Sequence, residues 1–431
     1  MIEKIFKLKE RKTTTRREVI GGLTTFLTMA YIIFVNPAIL GDAGMDKGAL
    51  ITVTCVAGFI GTVLVGLWAN VPFAMAPGMG LNAFFTYSLV LGMGVSWEQA
   101  LGVVFISGVL FLLLTLAGVR EKIVDAIPLS LRLAVAAGIG LFIAFIGFKN
   151  LGLIVDNPAT LVGLGALTPT VIIGLVGLLI AAVLEVKKVK GALLYSILIT
   201  FGLALAFADV SLPESVVSLP PSMAPTFAKL DIMGALSVSL MGAIFSFMFV
   251  DLFDSVGTVV ACSYEADMVD KKGKIQKVGK VLEADAVATV IGSFLGTSTT
   301  TTFIESASGI AAGARTGLAS VVTGVLFLVA PFFAPMIGIV PAYATAPALI
   351  IVGVFMFRNV RKIDFKDFAE AVPAFLTIIL MPLTYSISTG IVFGFISYVV
   401  LMVASGRAKE LSLMMWAIGA LSVLNLVVGG H

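Results

Sequence analysis

Long stretches without a single charge constrain this chain more than any other feature. Val171–Val183, Ala192–Phe207 and Ala319–Val329 contain no charged residue. With short apolar extensions each reaches the roughly 20 residues that a helix needs to cross about 30 Å of hydrocarbon. The runs are continuous rather than alternating with period two, which disfavours a β-barrel. Lipid offers the backbone no hydrogen-bond partner, so every spanning segment must be helical. Composition agrees: of 431 residues 59% are hydrophobic and only 12% charged, with a mean hydropathy of +1.10, outside the range of soluble domains. The fold class expected is an all-α polytopic membrane protein.

The same composition narrows the chemistry. Cys55 and Cys262 lie far apart in apolar segments without a metal or redox spacing, and read as free structural thiols. The only histidine is His431, so no metal site and no cofactor is expected, and any proton chemistry must rest on carboxylates. The basic stretch Met1–Arg17 precedes the first apolar run without a small-residue cleavage site, as a cytoplasmic tail would.

Spans are expected near 18–38, 48–69, 78–93, 98–118, 130–149, 167–186, 190–208, 234–262, 281–296, 305–314, 316–336, 342–358, 368–386 and 389–405. With the N-terminus inside, this count of fourteen puts Arg120–Lys122, Lys187–Lys190, Lys271–Lys280, Arg358–Lys366 and Arg407–Lys409 on the cytoplasmic side, as short basic loops require. The connection 209–233, with Asp209, Glu214 and Asp231 against Lys229, and the uncharged 331–341 suit the outer face. The basic loops are short and explained by topology, so no nucleic-acid partner is expected. Leu411–Val428 is left over, either as a further span or as an interfacial helix.

Two regions repeat weakly, about 227 residues apart (Val71 to Ser298). VPFAMAPGMGLNAFF at 71–85 and STTTTFIESASGIA at 298–311 each run from an extended stretch through a small-residue turn into a short helix. Each follows, roughly 50 residues on, a span dense in polar residues: Thr24–Asn36 and Ser246–Thr258. Seven spans per half is an odd number, so the second half is inverted relative to the first. Broken segments at matching positions of inverted halves point to a transporter's midplane site. The domains expected are a tail at 1–17, a first repeat at 18–208, a connection at 209–233, a second repeat at 234–405 and a terminal segment at 406–431.

Four acids sit in apolar surroundings: Asp251 and Asp254 in FVDLFDSVGT, Asp285 in LEADAVATVIG and Glu305 in TTFIESASG. A carboxylate at bilayer depth costs several kcal/mol unless it is paired, faces a cavity or functions. The alternative for each is a protonated group bonded to a neighbouring helix. Asp251 and Asp254, three apart, fall on one face of a helix and are expected to address one cavity. Asp285 suits a structural hydrogen bond as well as a direct role, and Glu283 reads as a solvated helix end. Glu305 stands where a polar run meets a helix N-terminus, whose free N–H groups favour an anion.

Pro77-Gly78-Met79-Gly80 and Asn82 form the matching turn in the first half. Its glycines allow close backbone approach, for a ligand or for tight helix packing. Phe73, Phe253 and Phe303 flank the turns and could stack on a planar ligand, although among 31 phenylalanines core or lipid contact serves equally. Carboxylates and backbone N–H donors, with no basic residue closer than Arg315, suit a neutral molecule that both donates and accepts hydrogen bonds.

VNPAIL and GDAGMD at 35–46, PFAMAPGMGLNAFF at 72–85, FVDLFDSVGT at 249–258 and TTTTFIESASGIAAGARTGL at 299–318 resemble the AzgA-like branch of the nucleobase–cation symporter-2 family, over essentially the whole chain. The resemblance implies fourteen spans in two inverted seven-helix repeats, with a core (spans 1–4 and 8–11) rocking against a gate (spans 5–7 and 12–14). It implies uptake of adenine, guanine or hypoxanthine with protons across a bacterial-type inner membrane. Matched by motif, Asn82, Asp251, Asp254, Asp285 and Glu305 fall on polar positions that matter in relatives, some of which carry Glu where Asp254 stands, so the resemblance specifies its contact less closely than that of Glu305. The substrate site expected is Glu305, Asp254, Asp251, Asn82, Gly78, Gly80, Ser306, Thr28 and Phe303, with Asp251, Asp254 and Asp285 for proton coupling. Proton against Na⁺, and a homodimer against a monomer, stay open. One rival is a sulfate-type anion carrier on the same architecture, which calls for a basic residue or bare helix N-termini at the breaks. Another is an intramembrane aspartyl enzyme, which needs two carboxylates sharing a proton; its GxGD pattern is absent.

Overall fold

The computed structural model describes residues 2–118, 127–208, 210–213, 215–268, 275 and 277–428. Arg120–Lys122, Asp209, Glu214, 271–274 of the long basic loop and His431 lie outside the described residues.

A short helix α1 (Ile2–Phe6) precedes α2 (Thr15–Met29) and α3 (Ile32–Asp42), which form one span broken at Ala30–Tyr31. The Thr14 hydroxyl starts α2 by accepting from the N–H of Arg17, and Asp46 starts α4 (Lys47–Trp68) by accepting from that of Ala49, each satisfying an otherwise unpaired donor. Strand β1 (Met75–Pro77) and α5 (Met79–Ala83) follow, the latter continuing as a π-helix over Phe84–Gly92. The half is completed by α6 (Trp97–Leu116), α7 (Leu129–Leu151), a hairpin of β2 (Ile154–Asn157) and β3 (Leu161–Leu164), α8 (Pro169–Val186) and α9 (Ala192–Phe207).

The second half repeats this order with α10 (Met241–Glu265), α11 (Val278–Leu295), β4 (Thr300–Thr302), α12 (Ser306–Ala311), α13 (Gly317–Val329), α14 (Ala342–Phe357), α15 (Phe368–Leu383) and α16 (Ile387–Ala404). Among the described residues nine helical stretches are long and apolar enough to cross a membrane alone. The other spans of the fourteen are shorter or more charged: α5 with its π continuation, α9, α11, α12 and α15.

Two packing groups emerge. In one, α13 lies on α4 and α2, and α11 on α4 and α6; in the other, α14 lies on α7 and α8, and α15 on α7 and α16. Cys55 and Cys262 are free and buried, as expected. The trailing apolar run forms α17 (Leu413–Val428), which turns back along α16 with Gly419 against Val399 and reaches the turn Val238–Leu240 beside the start of α10. It therefore runs the depth of the bundle instead of lying across its end.

Candidate substrate site at the crossing of the broken segments

The two broken segments meet. β1 and β4 pair antiparallel, with Met75 opposite Thr302 and Pro77 opposite Thr300. The ladder is extended by the Gly78 N–H, which donates to the Thr299 carbonyl (2.9 Å), and by the Phe303 N–H, which donates to that of Ala74 (2.9 Å). Pro77 keeps the preceding residue extended, and three consecutive β-branched threonines favour the same conformation in β4. A Cβ at Gly78 would stand 2.6 Å from Thr301 Cγ2, and one at Gly80 2.7 Å from Ile139 Cγ2. Both glycines serve close packing here.

The polar side chains of the first turn are consumed inside the protein. Asn82 is fully buried; its amide donates to Asn36 Oδ1 (2.6 Å) and its carbonyl accepts from the Ser298 hydroxyl. The Asn36 amide in turn donates to Thr54 (2.7 Å) and Thr297 (3.2 Å). Ser306 braces the crossing, donating to the Phe303 carbonyl (2.6 Å) and accepting from the N–H of Ala74 (3.0 Å).

At the second turn one carboxylate stays accessible. Glu305 precedes α12 but makes no side-chain capping bond to it. Its Oε1 instead accepts from the Tyr31 hydroxyl at 2.6 Å, at the break between α2 and α3. Thr28, one turn earlier, donates to the carbonyls of Thr24 and Thr25 and lies 3.5 Å from that of Glu305. The α2–α12 contact is made backbone to backbone: a Cβ at Gly309 would lie 2.0 Å from Thr25 Oγ1 and 2.5 Å from the Gly21 carbonyl.

Glu305 opens into a cavity of about 320 Å³ between the two packing groups. One wall carries Thr28, Glu305 and Ser308, and the other Glu185, Lys190 and Phe355, with Lys188 beside them. Gly191, left-handed at φ 78, sits where a Cβ would be 3.0 Å from the Leu27 carbonyl, so the turn between α8 and α9 rests directly on the end of α2.

Several expected residues stand elsewhere. Asp251 and Asp254, three apart on α10, differ in burial and in partners. Asp251 is buried, with Oδ2 3.5 Å from the Thr289 hydroxyl, while Asp285 accepts from Thr302 at 3.2 Å. Asp285 and Thr289 are one turn apart on α11, and Thr300 and Thr302 share one side of β4, so the two acids flank one strand. Each keeps one oxygen without a partner among the described residues. Asp254 is half-buried, has no hydrogen-bond partner among the described residues and does not line the cavity around Glu305. Phe73 and Phe303 are buried in the core and Phe253 packs on Phe249, so the aromatic wall of the cavity is Phe355. Glu283 is tied to Trp68, whose indole N–H donates to it at 3.0 Å.

Sequence reasoning missed Tyr31, Glu185, Lys188, Lys190, Ser308 and Phe355. Tyr31 was within reach, three residues after Thr28 on a polar span. The others reach the cavity only because the second packing group folds against the first.

A family model described as a permease family matches residues 16–393. A putative permease of Methanocaldococcus jannaschii is 51% identical over 99% of this chain and 98% of its own length. The adenine permease AdeP of Escherichia coli is 46% identical over 99% and 96%, and the guanine/hypoxanthine permease PbuG of Bacillus subtilis 46% over 98% and 98%. Among solved structures, the transmembrane domain of a cyanobacterium bicarbonate transporter, BicA, matches 96% of this chain and 97% of its own at a TM-score of 0.63 and 16% identity. SLC26A9 matches at 0.61 and 11%, over 90% and 65%. These two likenesses concern the fold, two inverted seven-segment repeats with a pair of broken helices. By sequence, the chain belongs to the permease family, in its AzgA-like nucleobase branch.

Proposed function

We propose that this permease imports purine nucleobases together with a proton, by alternating access between a core (α2–α6 and α10–α13) and a gate (α7–α9 and α14–α16). The observation that carries the reading is Glu305, a carboxylate held by Tyr31 yet facing a cavity that lies between the two groups. The names of the relatives AdeP and PbuG supply the purine class. Glu305 would accept from adjacent N–H donors of the base, Thr28 and Ser308 would offer hydroxyls, and Phe355 an apolar face. A site built on such hydrogen bonds rejects analogues lacking the donor far better than an apolar slot does. Asn82, Gly78, Gly80, Ser306 and Phe303 would act by holding the crossing in shape. Asp254 is free to meet a base that moves deeper, or a proton. Asp251 and Asp285 cannot both stay ionised on either side of β4 without a compensating charge, and one proton between them would supply it. The basic ends of the spans would face the cytoplasm of a bacterial-type cell.

Uptake of labelled guanine, hypoxanthine and adenine into proteoliposomes, with and without an inward proton gradient, tests the proposal. Accumulation that follows the gradient supports it, binding without a gradient effect removes the coupling, and neither removes the substrate. Lys188 and Lys190 at the cavity favour one second reading, an anion carrier. Labelled sulfate or bicarbonate in the same vesicles decides it, and Glu185 and Glu305 in the same cavity weigh against it.

A further inference from the structure

A corner at the basic end of the bundle gathers cations from two separate stretches of chain around the end of a third. Trp68, at the end of α4, is 56% exposed, and the ammonium of Lys280 lies 5.9 Å from the centroid of its ring. Two residues on, the Asn70 carbonyl accepts from Lys277 Nζ at 3.4 Å, and the Asn70 amide donates to the Phe6 carbonyl at 3.1 Å. Lys7 follows directly, and Arg11 lies one turn further, its N–H donating to the Lys7 carbonyl. Lys7, Asn70 and Lys277 all adopt left-handed backbone, at φ 54, 48 and 63. That conformation is costly for non-glycine residues and clusters where a ligand is gripped.

The acids nearby are already engaged. Glu10 pairs with Lys7 at 3.2 Å, Glu283 accepts from Trp68, and Glu3 accepts from the N–H of Lys9. The remaining positive excess weighs on Lys277: partial burial, then Arg11, Lys280 and Lys7, hold its ammonium down to about 8. Exposed apolar side chains neighbour these groups in sequence. Ile2 and Ile5 of α1 and Leu67 beside Trp68 are all exposed, while Phe6 and Leu8 anchor the segment against Leu318. An exposed tryptophan at a span's end marks the headgroup level of a bilayer.

We propose that this corner binds the phosphate of an anionic phospholipid, with Lys7, Arg11, Lys277 and Lys280 around the headgroup and the acyl chains along Ile2, Ile5 and Leu67. A soluble anion would use the cations but leave the apolar ledge uncovered. The assignment does not depend on what the permease carries. Because Asn70 also accepts the N–H of Gly317 at the start of α13 (2.9 Å), an occupied corner would tie α1, α4, α11 and α13 together.

Native mass spectrometry and thermal unfolding of the purified full chain test it, with phosphatidylglycerol, phosphatidylcholine or inorganic phosphate added. Wild type is expected to retain one phosphatidylglycerol per chain, with affinity roughly 10-fold or more above that of Lys277→Met/Lys280→Met. Lys362→Met/Lys366→Met removes equal charge from another loop of the same end and is expected to bind as wild type does. Should the first variant fail to fold, Lys7→Met/Arg11→Met, in the exposed tail, carries the same expectation. Equal losses in the two charge-matched variants would reduce the effect to diffuse attraction and overturn the site. No preference over phosphatidylcholine, or stabilisation by inorganic phosphate as large as by the lipid, would overturn it too.

Discussion

The two broken segments begin alike and end differently. Both run from a strand through a turn into a helix, and the strands hydrogen-bond to each other. After β1 the chain continues as α5 and a π-helix to Gly92, and its polar group Asn82 is spent on Asn36 and Ser298. After β4 the helix stops at Ala311, and Glu305 keeps an oxygen for the cavity. Symmetry of construction thus leaves one turn closed inside the protein and the other open to a cavity. A hydrogen-bonded network that is closed holds shape, whereas one left open at a cavity can exchange partners with a ligand.

The comparison breaks most visibly at the tightest packing. Gly309→Val is expected to abolish folded protein, seen as loss of a monodisperse peak in detergent, because the added carbons meet backbone of α2. Gly80→Val, in the short helix of the first segment, meets only side chains, Ile139 first, and should cost about 1–3 kcal/mol. Equal tolerance of the two would deny that α12 is the more tightly seated helix.

Next in size is an exchange of phenotypes. Glu305→Gln should weaken binding of labelled guanine by on the order of 10- to 100-fold, the worth of a hydrogen bond to a charged group, and leave the melting temperature nearly unchanged. Asn82→Ala should do the reverse, since it leaves the Asn36 side-chain carbonyl and the Ser298 hydroxyl unpaired at about 1–3 kcal/mol each. An Asn82→Ala protein of normal stability that binds no base would place the first turn in the site after all. Tyr31→Phe, which removes one partner of Glu305 and keeps the ring, should weaken binding roughly 5- to 10-fold; an unchanged affinity would mean the bond is idle.

The smallest effect expected lies outside both segments. Arg407 bonds to Asp367 and Glu410 and holds both carboxyls below their usual range. A carboxyl depressed in the folded state contributes stability above its unfolded value near 4 and loses it as pH falls through the folded value. Arg407→Ala should therefore lower the melting temperature slightly at pH 7, and by progressively less as pH falls below about 4. A drop comparable to that of Asn82→Ala would mean that surface charge, not the closed network, sets stability.

Much of this arrangement is legible in the sequence because membrane folding leaves few options. Charge-free runs give the spans, and Pro77 and the glycines beside it mark the break. The acid in TTFIESASG, the only ionisable residue of its stretch, marks the candidate site. What is not legible depends on azimuth and on distant packing. Asp251 and Asp254 look equivalent until packing buries the first against Thr289 and leaves the second half-buried. Lys188 and Lys190 read as topology signals until the α8–α9 turn settles on Leu27. Phe303 and Phe355 have the same composition-level claim to the cavity, and only the packing of α14 chooses between them.

The pairing of Met75–Pro77 with Thr300–Thr302 also bears on how the chain is made. When the first half has been synthesised and inserted, the inward backbone groups of β1 have no partner at membrane depth, and the residues that will satisfy them lie more than 200 positions downstream. The early half must therefore wait in an open form, shielded by neighbouring helices or by the insertion machinery, until β4 arrives to close it. The strand crossing is then a joint between an early and a late half of the chain as well as the centre of the finished protein.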